Sequence, residues 1–178
     1  MKRILLCALF ALALVPAVAA AGSVGIGVFG GASLPVLYDN ASPGGLAGVR
    51  IPINVLPMLT FEPYYSKSQL GDTQDTFGGQ SYTRSGPELY TYGGNAIFEF
   101  GEGLKFYPFV GIGSTRIEQE SVEDVTDTNL NFGLGFKYMA MHKLAFDLRG
   151  ELSSVITGDT SRKFGNFTLG VSYALFEY

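Results

Sequence analysis

Apolar residues alternate with small or polar ones in eight stretches, each of which reads as a strand with one oily face. The first, at about 24–34, sets Val24, Ile26, Val28, Ala32 and Leu34 against Gly25, Gly27 and Gly31. The second, at about 46–54, sets Ala47, Val49, Ile51 and Ile53 against Gly48, Arg50 and Asn54; the third sets Leu59, Phe61 and Tyr65 against Thr60, Glu62, Tyr64 and Ser66. Tyr90, Tyr92, Ala96, Phe98 and Phe100 mark the fourth, and Leu104, Phe106, Val110 and Ile112 the fifth. The sixth is the most regular, with Leu130, Phe132, Leu134, Phe136 and Tyr138 alternating with Asn129, Asn131, Gly133, Gly135 and Lys137. Leu144, Phe146, Leu148 and Leu152 carry the seventh, and Phe167, Leu169, Val171, Tyr173 and Leu175 the eighth.

The links alternate strictly in length. Those at 35–45, 67–87, 115–128 and 154–163 are long, whereas 55–57, 101–103 and 140–142 are tight. Strands of roughly ten residues, even in number, with long loops at one end and short turns at the other, predict an all-β, eight-stranded antiparallel up-and-down transmembrane β-barrel. Both mature termini are then expected on the periplasmic side of a bacterial outer membrane. Tyr65, Tyr90 and Tyr92 fall at the outer end and Phe100, Phe106, Tyr138 and Tyr173 at the periplasmic end, as two aromatic belts would.

A soluble sandwich or lipocalin-like barrel with its oily face inward would show the same period. The opposite face separates the two, because a soluble barrel would present long charged side chains there. This chain instead repeats Gly25, Gly27, Gly48, Gly93, Gly111, Gly113, Gly133 and Gly135, which suits a lumen only just wide enough to be filled by side chains. The charges on that face are Arg50, Lys105, Lys137 and Arg149 against Glu62, Glu99, Asp147 and Glu151. Four of each sign predict an ion-pair network plugging the lumen, since buried charges persist only when paired and hydrogen-bonded. For Lys105 and Glu99 the alternative is solvation at the periplasmic rim. Phe29, Ile97 and Phe109 also point inward in this register, against the pattern.

Lys2 and Arg3, an apolar run over 4–15 and small residues at Ala17, Ala19 and Ala21 predict a secretory signal peptide at 1–21, cleaved after Ala19 or Ala21, with a single barrel domain at 22–178. Cys7 lies within the leader, so the mature chain is expected to lack thiols and disulfides. Loss of Lys2 and Arg3 shifts the formal charge from −4 to −6, which argues against nucleic acid. With 24 Gly and 24 Phe plus Tyr, but only 16% charged residues, the composition suits neither disorder nor a helical domain. No apolar run long enough for a membrane helix follows the leader.

The leader, YPFVGIG at 107–113, NFGLGFKY at 131–138 and the last strand FTLGVSYALFEY with its terminal Tyr178 resemble the small eight-stranded outer-membrane β-barrel proteins of the OmpA/OmpX kind. The resemblance covers essentially the whole mature chain. It implies outer-membrane lipid and lipopolysaccharide as surroundings, and the barrel assembly machinery and periplasmic chaperones as partners. Phe176 and Tyr178 are out of phase with Tyr173 and Leu175, so a bulge near Ala174 or a short tail is needed. Pro52, Pro63 and Pro108 fall inside strands and are expected near rims or bulges.

The function expected is non-enzymatic: envelope structure or surface interaction through extracellular loops, with no cofactor and no metal site. The loop at 115–128 is the candidate contact surface, with Glu118, Glu120, Glu123, Asp124 and Asp127 against Arg116. These carboxylates would attract divalent cations or a basic partner, or form a solvated patch. A lipid-modifying enzyme is the first alternative, but the one histidine, His142, falls in a periplasmic turn, far from any nucleophile near the outer leaflet. A small-solute pore is the second, and eight strands leave little room for one.

Overall fold

The computed structural model describes residues 22–37, 42–77, 80–119, 122–157 and 160–177. They form β1 (Ser23–Leu37), β2 (Ser42–Arg50), β3 (Ile53–Leu56), β4 (Leu59–Gly71), β5 (Thr73–Phe77), β6 (Gln80–Arg84), β7 (Glu88–Phe98), β8 (Leu104–Gln119), β9 (Val122–Met141), β10 (Leu144–Thr157) and β11 (Thr160–Glu177). No helix occurs among the described residues. Nine strands join in one antiparallel sheet, and β11 pairs back onto β1 from Ser23↔Glu177 to Leu37↔Lys163. The sheet is therefore a closed ring with no free edge to template further pairing. The expected signal peptide at 1–21, Glu120 and Tyr178 lie outside the described residues.

Nine strands make eight staves, because β2 and β3 are one stave interrupted at Ile51–Pro52. Both pair with β1 on one side and β4 on the other, and the register is the same before and after the gap: Gly27↔Arg50 and Val24↔Ile53, Arg50↔Tyr64 and Ile53↔Phe61. Proline has no N–H to give a ladder. Pro63 lies across the same gap, and its carbonyl accepts from Ile51 N at 2.9 Å. Because the N–H and C=O of a strand residue point the same way, the donor that Pro63 lacks also falls where the stave is broken. Pro108 repeats the device: Phe106 N donates to Phe100 O, so residue 108 faces the same neighbour, next to the point where the β7–β8 ladder stops at Ile97↔Phe109. The prolines thus sit at ladder interruptions within the wall, without the rims or bulges expected for them.

A bulge does occur near Ala174. Val24 pairs with Phe176 and Gly25 with Ala174, which leaves Leu175 as the extra residue and turns Phe176 outward with it. A second register shift, at Ala140, moves the last tight turn to His142–Lys143. The other tight turns are Pro57–Met58 and 101–103, where Gly101 and Gly103 hold φ of 104° and 70°, a conformation that side chains with a Cβ rarely adopt.

At the opposite end the strands run much further than the apolar pattern predicts. β8 and β9 pair through Thr115↔Asp127 to Gln119↔Val122, β10 and β11 to Thr157↔Thr160, and β5 and β6 form a separate hairpin. Most of what read as loops is therefore strand. Alternation of oily residues reports contact with lipid, and backbone pairing continues after that contact ends.

The oily face points away from the axis. Ile112, Leu134 and Phe146 are 62%, 55% and 46% exposed, while Arg50, Asn95 and Asn131 inside are at 2% or less. On β9 the outward apolar positions run from Leu130 to Tyr138. At about 3.4 Å per residue and a tilt of about 40°, that row is roughly 20 Å tall, close to the apolar band of about 25 Å of membrane barrels.

Candidate functional site

The lumen is filled in layers. Nearest the tight turns, Glu99 accepts from Lys105 Nζ at 2.8 Å and from Lys137 Nζ, with Thr60 Oγ1 at 3.3 Å. Glu99 is buried and Lys105 about one quarter exposed, so this pair is engaged at the rim, with one arm still wetted.

The middle of the lumen holds a quartet. Arg149 grips Glu62 with both ends of its guanidinium, at 2.8 and 3.2 Å, the fork geometry that makes arginine–carboxylate pairs strong. Arg50 Nε lies 3.7 Å from the same carboxylate, and Arg50 Nη2 donates to Asp147. Tyr107 Oη donates to Asp147 Oδ1 and accepts from Arg149 Nε, both at 3.3 Å. Asn95 donates to Glu62 at 3.2 Å and receives from Asn131 at 2.7 Å. The inward aromatics belong here: Arg149 stacks on Phe109 at 4.6 Å and on Tyr107 at 5.4 Å, and Arg50 on Phe29 at 5.4 Å.

Glycine makes the space. Phe29 faces Gly48 across the ladder, Phe109 faces Gly133 and Tyr107 faces Gly135. A Cβ on those glycines would stand 2.5, 2.7 and 2.3 Å from the respective rings. These three lumen glycines are therefore complementary to particular bulky neighbours.

Further outward, Glu151 forms no ion pair with the lumen cations among the described residues; it accepts from Asn166 Nδ2 at 3.0 Å, and the Asn131 amide also stands beside it. Beside it is a cavity of about 40 Å³, lined among others by Tyr64, Ser153, Asn166 and Thr168. Leu70, Leu89, Ile117, Val155 and Phe164 close the lumen above as a buried apolar cluster. The eight charges expected to form one network thus divide into a rim triad, a central quartet and a separate Glu151.

Sequence reasoning missed Tyr107 and the apolar plug. Tyr107 stands outside the alternating pattern that marks the fifth strand, although counting by two from Lys105 to Phe109 places it inward. The plug residues lie in stretches read as loops, and inward apolar residues there contradict the pattern that identifies lipid contact.

The carboxylates at 115–128 stand on the β8–β9 hairpin. Arg116 pairs with Glu118 at 3.0 Å and Asp124 at 2.6 Å, and Asp124 holds the guanidinium pKa above its ordinary value. Asp127, opposite Thr115, is on the inner face of the hairpin. Glu120 and the side chain of Glu123 lie outside the described residues. The acidic cluster is therefore split between faces and partly neutralised. Past the Tyr65↔Tyr92 row, Lys67 pairs with Glu88 at 2.7 Å and Tyr90 Oη donates to Glu88 at 2.5 Å. Hydrogen bonds from Lys67 and then Tyr90 hold the Glu88 carboxyl below the usual range. His142 lies exposed at the turn end with Nε2 3.1 Å from Glu177. No group of three or more His, Cys, Asp or Glu side chains placed to hold a metal ion occurs among the described residues.

The fold is shared with solved outer-membrane barrels. The neisserial surface protein A superposes with a TM-score of 0.66 at 16% identity, covering 86% of this chain and 97% of that one. The N-terminal barrel domain of Pseudomonas aeruginosa OprF gives 0.56 at 18% identity over 86% and 98%. Yersinia pestis Ail in a phospholipid bilayer nanodisc gives 0.53 at 16% identity over 86% and 99%. No curated protein matches the chain. Residues 4–174 match the profile described as outer membrane protein beta-barrel domain, and the chain belongs to that family of bacterial outer-membrane proteins.

Proposed function

We propose that this protein is a non-enzymatic integral outer-membrane protein whose filled barrel is an anchor and whose protruding hairpins are its working surface, in envelope structure or surface interaction. The observation that carries this reading is double occlusion. The central quartet closes the lumen with charge, and Leu70, Leu89, Ile117, Val155 and Phe164 close it again above. Water-filled conduction needs neither closure, and a barrel of this size has no room for an open channel beside them.

In this reading residues 1–21 are removed on export, both mature termini are periplasmic, and the β5–β6 and β8–β9 hairpins stand outside. The tight turns and both barrel termini share one end, which suits periplasmic placement. Lipid covers the apolar band and lipopolysaccharide surrounds the hairpins, while assembly depends on periplasmic chaperones and the barrel assembly machinery. His142 stands at the opposite end from those hairpins, exposed, with the Glu177 carboxylate as its partner.

Planar-bilayer recording on the purified mature barrel tests the anchor against the pore. Stable conductance steps in wild type would refute occlusion. Silence in wild type, with openings once Glu62 and Leu89 are both replaced by alanine, would support it.

A further inference from the structure

Glu151 is the one lumen charge with no ion-pair partner among the described residues, because Arg149, its nearest cation along β10, is committed to Glu62. A carboxylate sealed in a barrel core is held at a large free-energy cost unless something neutralises it. Its surroundings name the candidate. Asn166 Oδ1 and Tyr64 Oη are closed off from solvent and make no hydrogen bond of good geometry, although the Asn129 amide stands beside the Tyr64 hydroxyl, and both belong to side chains lining the same cavity as Glu151. The orientation of Asn166 is set by chemistry: a carboxylate only accepts, so Asn166 turns its amide nitrogen to Glu151 and keeps its oxygen free.

We infer that this chamber binds a monovalent metal cation of about sodium's size, held by the Glu151 carboxylate, Asn166 Oδ1 and Tyr64 Oη. A proton on Glu151 would remove the charge but leave the space beside it to water alone. A cation neutralises the carboxylate and engages both oxygens. One carboxylate with neutral oxygens suits a single charge; divalent ions generally recruit more carboxylates. The space, about 40 Å³, admits an ion and about two waters, each needing some 10–15 Å³. The plug above, including Leu89, Val155 and Phe164, keeps the occupant from exchanging freely.

The mature barrel is refolded into detergent micelles in sodium chloride or in N-methylglucamine chloride at equal ionic strength, and the temperature at which its heat-modifiable gel band is lost is recorded. A ligand bound only by the folded state raises that temperature. Sodium is expected to raise it by several degrees in wild type, by less in Tyr64→Phe, and not at all in Glu151→Gln, which keeps the side-chain volume and removes the charge. Equal temperatures in the two salts for wild type would overturn the inference and leave a protonated carboxyl as the neutral form. A sodium effect that survives Glu151→Gln would overturn it as well. Should Glu151→Gln not refold, Tyr64→Phe decides: a reduced sodium effect supports the site, an undiminished one rejects it.

Discussion

Removing Glu62 from the lumen leaves Arg50 and Arg149 facing each other with only Asp147 between them. Glu62 is 3% exposed, receives Arg149 at 2.8 and 3.2 Å, and lies 3.7 Å from Arg50. At about 3 Å, and an effective dielectric constant of about 20, each contact corresponds to roughly 5 kcal/mol of Coulomb energy. Breaking a buried pair by deleting one partner costs about 3–5 kcal/mol, because the survivor stays buried and uncompensated. Glu62→Leu and Arg149→Met should therefore each destabilise the barrel by about that much. The double variant leaves Arg50 and Asp147 balanced one against one, so its cost should fall several kcal/mol short of the sum of the singles. Urea unfolding in lipid vesicles, followed by loss of the heat-modifiable band, measures all four corners of the cycle. Single costs under about 1 kcal/mol, or singles that add to the double within about 0.5 kcal/mol, would refute a dry coupled quartet and indicate a solvated lumen.

Leu134→Lys, on the lipid face, should cost about 2–4 kcal/mol by the same assay, whereas Thr126→Lys, outward on the same strand beyond the apolar row, should be nearly silent. Gly135→Ala puts a methyl against the Tyr107 ring and should cost about 1–3 kcal/mol, with a cost less than additive when Tyr107→Leu vacates the space; full additivity would reject ring-to-glycine packing. Glu88 titrates outside the membrane, and its folded pKa lies below the ordinary carboxylate value, so its contribution is present above the unfolded pKa and fades as the pH falls through the folded one. Carbon NMR of its side chain should show a midpoint below about 4.3, rising toward that value in Lys67→Met; a midpoint already there in wild type would contradict the contact.

The lipid-facing half of the molecule was legible because period two and lipid contact coincide there. Leu130 to Tyr138 on β9 and the paired turn glycines Gly101 and Gly103 show it plainly. The lumen charges were legible as a face, but not as partners. Glu62, Arg50 and Arg149 come from three different staves, and which of them meet depends on stagger around the ring, which no single strand encodes. That is why Glu151 reads as one member of a balanced set of eight, although it forms no ion pair with the other seven. Inward aromatics such as Phe109 looked like errors because the arginine that needs them is distant in the chain. Above the membrane the apolar signal lapses while pairing persists, so Arg116, Glu118 and Asp124 read as loop although they stand on strands.

The wild-type chain contains no tryptophan, so a single one reports from a known place without background. Leu134→Trp and Phe109→Trp, one outward and one in the lumen, can be reconstituted into vesicles of lipids brominated along their acyl chains. Outward oily residues in hydrocarbon predict strong fluorescence quenching at position 134 and little at 109. Quenching at 109 with a bright, unquenched signal at 134 would contradict the account at its root.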